Sequence, residues 1–100
     1  MKNYELLAIF KPSLDSEELD KEIEKISNDV KSYKGSVESI DKMGRKKLAY
    51  DVQSYRDGYF ATIIVSIPSE KVVDFKRNLK LNENIIRYMF MEESKQKQSV

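Results

Sequence analysis

Three cations follow one another in "GRKKLAY", at Arg45, Lys46 and Lys47, between Gly44 and the trio Leu48, Ala49 and Tyr50. Side chains of this kind hold anions. One lysine on an edge strand serves to keep other sheets from pairing with it, and the triplet admits that role too. Three adjacent cations beside a tyrosine fit better with an extended arm that grips an anion of many charges, of which phosphate backbone is the usual one. Strict alternation would set Lys46, Leu48, Tyr50 and Val52 on one side and Arg45, Lys47, Ala49 and Asp51 on the other. Cations would then project from both faces while the apolar side packs on protein.

Catalytic chemistry has little to work with. The chain contains neither His nor Cys, so the commonest general base, thiol nucleophiles, thiolate ligands and disulfides are all excluded. The carboxylates of "SEELDKEIEK" interleave with lysines, the pattern of a solvated helix face. Glycine-rich phosphate loops, nucleophile elbows and calcium-loop spacings are missing from the sequence. The expectation is a protein that is not an enzyme and that needs no metal and no cofactor. No stretch of eighteen apolar residues is present, and "MKNYELLAIF" carries no small-residue cleavage site. A soluble, unexported, cytoplasmic protein is expected, with no membrane and no small-molecule substrate as partner.

These residues need elements to position them. "KNYELLAIF" alternates Tyr4, Leu6, Ala8 and Phe10 against Asn3, Glu5, Leu7 and Ile9, which predicts a strand ending before Pro12. Asp15 and Glu18 have the spacing of a capping box, and Leu14 can staple onto Leu19. In the helix that follows, Leu19, Ile23, Ile26, Val30 and Tyr33 advance by four and three, making one buried stripe. Gly35 ends it as a residue able to take positive φ. From Ser36 to about Gln53 the chain is extended, but Val37 and Ile40 are out of phase. A bulge is required, with Gly44 as its place. "SYRDG" supplies turn chemistry around Asp57 and Gly58, and "YFATIIVSI" alternates again, giving a hairpin. Val72, Phe75 and Leu79 mark a second amphipathic helix, "NEN" breaks it, and "IIRYMFM" is the last strand. Residues 1–92 are read as one domain and 93–100 as a short, polar, flexible tail.

Strand, helix, strand, strand, helix, strand is the ferredoxin-like βαββαβ order, an α+β fold with a four-stranded antiparallel sheet and two helices on one face. The opposite face is left bare of helices, and the long strand carrying Gly44 to Tyr50 lies at one edge. On the strand phases given, the uncovered face holds Leu7, Ile9, Phe60 and Ile64, with Arg87 among Ile85, Met89 and Met91. Such a face is either covered by another molecule or a scatter of ordinary surface apolars under a different strand phase.

"MGRKKLAYDV", Met43 to Val52, resembles the signature of the bacterial small-subunit ribosomal protein S-six family. "YELLAIFKP", "DGYF", "IP" before the second helix and "LNENIIRYMFM" are similar to that family in order and spacing. Asp51 departs from it, standing where the family usually has Pro. The resemblance implies a structural constituent of the small ribosomal subunit. It would bind the central domain of small-subunit ribosomal RNA as a heterodimer with the eighteenth small-subunit protein. Carried over position by position, it implies RNA contact at Lys2, Arg45, Lys46, Lys47 and Arg87. Leu7, Ile9, Tyr50, Phe60 and Ile64 are the expected protein interface. The balance of 18 Lys and Arg against 17 Asp and Glu agrees with a basic partner supplying much of the attraction to phosphate.

Two other classes share the element order. An RNA-recognition module would need a cation, then Gly, then aromatics two residues apart in the third strand, whereas "DGYFAT" begins with Asp57 and has Ala61 in the second aromatic place. A ferredoxin-like metabolic or regulatory domain would carry a bound metabolite or turn over a phosphoester.

Overall fold

The period-two and period-3.6 segments become the elements they predict. In the computed structural model, which describes residues 2–93, β1 spans Lys2–Phe10, α1 Ser16–Ser32, β2 Ser36–Val52 and β3 Tyr55–Ile67. A short 3-10 turn at Ser69–Lys71 leads into α2, Val72–Leu81, and β4 covers Ile85–Glu92. The strands form one antiparallel sheet in the order β2-β3-β1-β4. The fold is thus the ferredoxin-like one, with β2 at an edge. The tail expected at 93–100 lies, beyond Glu93, outside the described residues.

One face of the sheet is packed by both helices. Tyr4, Leu6, Ala8 and Phe10 of β1 and Ala61, Ile63, Val65 and Ile67 of β3 share a core with Ile23, Ile26 and Val30 of α1 and Phe75 and Leu79 of α2. Tyr4 stacks on Phe90 with ring centroids 4.9 Å apart, and Phe75 meets Phe90 at 5.5 Å. The capping box is present: the Asp15 carboxylate accepts from the Glu18 amide at 2.8 Å, and Glu18 accepts from the Asp15 amide at 2.9 Å. This satisfies two amide donors that the first helical turn would otherwise leave without partners.

Four local expectations are corrected. The left-handed residue after α1 is Lys34, with φ of 65°. The Lys34 amide donates to Lys31 and the Gly35 amide to Val30, the paired bonds of a Schellman cap. Gly35 is needed for space, because a Cβ there would lie 2.3 Å from the Ser66 carbonyl oxygen and 2.4 Å from Ile67. Second, the β2–β3 turn is at Gln53 and Ser54, both at positive φ, between the paired residues Val52 and Tyr55. This is a two-residue type I′ turn. Gly58 lies inside β3, where a Cβ would come within 2.7 Å of Ile9 and 2.8 Å of the Phe10 carbonyl. Third, β2 shifts register around Glu38 as well as before Gly44, and the first shift is what brings Ile40 opposite Ile63. Fourth, a shift between Ile9 and Phe10 along the β1–β4 pairing turns Ile85 into the core, away from Arg87 and Met89.

Glu22 also departs from the expected solvated face. It is 6% exposed and accepts hydrogen bonds from the side-chain amides of Asn82 and Asn84, each at 2.8 Å, and from Lys25 at 3.3 Å. One helix carboxylate thereby fixes the connection between α2 and β4. Burial pushes its pKa up, but the bonds from Asn82, Asn84 and Lys25 outweigh that, and the net value falls below the ordinary 4.5. A carboxylate with a depressed folded-state pKa contributes stability that is complete above its unfolded value and is lost as pH falls through the folded value. Glu22→Gln should therefore unfold more easily at neutral pH, and its stability should decline less steeply below pH 4.5 than that of the parent chain. Urea unfolding at neutral and acid pH measures this, and parallel pH profiles would refute it.

Candidate functional site

The basic arm is the distal part of β2. Its path is set by an irregular pairing: Lys47 lies opposite Asp57 and Val52 opposite Tyr55, so the four residues from Leu48 to Asp51 face only Arg56. The excess length lets the hairpin end curl over the uncovered face of the sheet. Gln53 donates from Nε2 to the Ile86 carbonyl at 3.1 Å. Arg87 donates to the Tyr50 hydroxyl, with its guanidinium carbon 5.6 Å from the ring centroid. Both clips join the arm to β4, three strands away across the sheet, or about 14 Å at the usual strand spacing.

Beneath the arm lies a groove of about 210 Å³ whose walls include Leu7, Ile9, Leu48, Tyr50, Phe60 and Met89. Leu48, Ala49, Tyr50 and Val52 all line it, so the strict alternation expected along the arm breaks where the pairing breaks. Ile9 is 7% exposed, whereas Leu7, Phe60 and Ile64 are half-buried and Tyr50 is exposed. Four of the five expected interface residues thus meet at this groove. Ile64 stands apart from it, between Glu5 and Ser39 in the ladder.

The cations divide in a way that the sequence does not state. Arg45 lies opposite Tyr59 on the helix side, and its Nε donates to Asp57 at 2.8 Å. The Asp57 carboxylate, by hydrogen bond and by charge, pushes the guanidinium pKa further up. Lys46, opposite Gly58, and Lys47, opposite Asp57, project to opposite sides and are exposed. Neither forms an ion pair among the described residues. Arg87 joins this end of the sheet. Lys2 does not: it pairs with Ile67 at the far end of β1, about 27 Å along the strand, and lies 3.6 Å from Glu92. Arg56 was missed. It is exposed, sits opposite the arm and has no ion pair among the described residues. The false turn at Asp57 and Gly58 hid it.

Among the described residues no cluster of acidic, His or Cys side chains could hold a metal, and no helix is long and apolar enough to cross a membrane.

The sequence profile of the family described as Ribosomal protein S6 matches residues 3–92. The chain is 36% identical over 93 residues to the small ribosomal subunit protein bS6 of Acholeplasma laidlawii, covering 93% of this chain and 98% of that one. It is 37% identical over 91 residues to the bS6 of a Nocardioides species, covering 91% and 95%. The crystal structure of 30S ribosomal protein S6 from Thermotoga maritima superimposes with a TM-score of 0.89 at 19% identity, over 98% of this chain and 92% of that chain. At that identity the last match speaks for the fold.

Proposed function

The chain belongs to the ribosomal protein S6 family, and from that premise we propose that it binds the central domain of small-subunit ribosomal RNA through its basic arm, together with the eighteenth small-subunit protein. Membership makes it a small-subunit ribosomal protein, structural and not enzymatic, associated with the ribosome in the bacterial cytoplasm. The RNA contacts proposed are Lys2, Arg45, Lys46, Lys47 and Arg87. Leu7, Ile9, Tyr50, Phe60 and Ile64 are proposed to take the protein partner.

The observation that carries the proposal is the presentation of Lys46 and Lys47. They project from opposite sides of an arm clipped to the sheet at Tyr50 and Gln53, and no carboxylate neutralises them by an ion pair among the described residues. Few other cations join them, and the net charge is only +1. Alone, then, the chain has few phosphate contacts and little long-range attraction. Filter binding to a transcript of the central domain should give weak affinity for the isolated chain. Adding the eighteenth protein should tighten binding by roughly tenfold or more, in the range of ordinary coupling energies. Equal affinity with and without it would refute the joint mode.

A further inference from the structure

The uncovered face has two halves of opposite charge. Beyond the arm, the ladder rows on this face read Asp41, Thr62, Leu7, Met89 and Ser39, Ile64, Glu5, Met91. Met89 and Met91 are 46% and 51% exposed. Asp41 is exposed and Glu5 half-buried, and neither forms an ion pair among the described residues. The nearby lysines do not compensate them. Lys42, opposite Ala61, points to the helix side and pairs there with Asp20, and Lys2 pairs with Glu92. Two carboxylates about 12 Å apart, counted as two strand spacings and one ladder row, therefore stand among the apolar residues of this half: Glu5 lies between Ile64 and Met91 in its row, and Asp41 is at the β2 edge of the row that holds Leu7 and Met89.

We propose that Glu5 and Asp41 determine which protein docks on this half of the sheet, by receiving Lys or Arg side chains of a basic partner whose apolar residues cover Leu7, Ile64, Met89 and Met91 around them. The inference rests on the proposal that the uncovered face is the partner site. Charge complementarity selects the class of occupant. Phosphate backbone is repelled by the same carboxylates that attract a basic protein surface. The main RNA contact is thereby kept to the end of the sheet with Lys46, Lys47 and Arg56, apart from the separate contact proposed for Lys2 at the far end, and a partner held by Glu5 and Asp41 extends that cationic surface. The two carboxylates so fix the order of protein and RNA along the sheet.

The test uses the eighteenth small-subunit protein as probe, titrated calorimetrically against the intact chain at low and moderate salt. Glu5→Lys with Asp41→Lys should weaken binding by about tenfold or more, since like charges then face each other. Glu5→Gln with Asp41→Asn should weaken it a few-fold and flatten its salt dependence. RNA binding by either variant alone should be unchanged or tighter. Asp41 is exposed and Glu5 half-buried, so thermal melts check folding; the neutral variant decides the matter if the reversed one does not fold. If both charge variants bind within about twofold of the parent while Ile64→Ser loses the partner, this inference falls and the face remains the partner site. Should Ile64→Ser also bind normally, the open-face reading fails and the inference with it.

Discussion

Replacing Arg45, Lys46 and Lys47 together by Ala should weaken RNA binding by roughly 10- to 100-fold and lower its salt slope by about two units, not three. Each phosphate neutralised by a cation releases a little under one counterion from duplex nucleic acid, so the slope counts contacts and the triplet would ordinarily count as three. Arg45, however, is committed to Asp57 at 2.8 Å, and its charge is already balanced. Lys46→Ala and Lys47→Ala should each remove about one unit, and Arg45→Ala distinctly less. Stability should move by no more than about half a kcal/mol, because these side chains are exposed and touch no core. Binding measured across a series of salt concentrations separates the cases. An unchanged slope would reduce the triplet to protection of the sheet edge.

The elements most legible in the sequence are those whose burial repeats with a local period. The stripe Ile23, Ile26, Val30 and the alternation Ala61, Ile63, Val65, Ile67 each report one packed face, and both are buried as expected. The capping box was equally legible because its partners are three residues apart. Features that depend on distant residues were not. Glu22 reads as one more solvated carboxylate until Asn82 and Asn84, some sixty residues on, are brought over it. Gly58 reads as a turn because glycine is the usual turn residue, yet it is the approach of Ile9 from a neighbouring strand that demands it. The real turn uses Gln53 and Ser54 at positive φ, a conformation for which neither residue type is a strong signal.

The same division runs through the site. Which residues carry charge follows from their identity, so the arm could be found from seven letters. Which charges remain free follows from register, and register here depends on three shifts along β2. The pairing that neutralises Arg45 and the curl that carries Tyr50 to Arg87 come from that register, while the isolation of Lys2 at the far end comes from the pairing of β1 with β3. The shift around Glu38 has a further effect. It keeps Asp41 on the open face and sends Lys42 to Asp20 on the helix side, which creates the acidic half of the sheet.

Ile64→Ser and Phe60→Ser should both weaken the protein partner's binding, by about 30-fold if either is a central contact, but only Phe60→Ser should also disturb the arm. Ile64 is half-buried, outside the groove, and surrounded on its face by Glu5 and Ser39. Its truncation removes apolar area that a partner would cover and leaves Leu48 to Val52 untouched. Phe60 forms part of the groove floor, beside Ile9 and opposite Gly44. Replacing it costs on the order of 2 kcal/mol of stability, roughly half the usual penalty for a fully buried aromatic, and removes the surface on which Leu48 and Tyr50 rest. RNA binding by the isolated chain should then survive Ile64→Ser and weaken in Phe60→Ser, because the cations of a loosened arm must be ordered before they can bind. Joint binding with the eighteenth protein should fail in both. Should both variants fold and retain partner binding and joint RNA binding, the uncovered face is not the partner site. The outer edge of β2, seventeen residues long and able to pair with a strand from another chain, would then take its place.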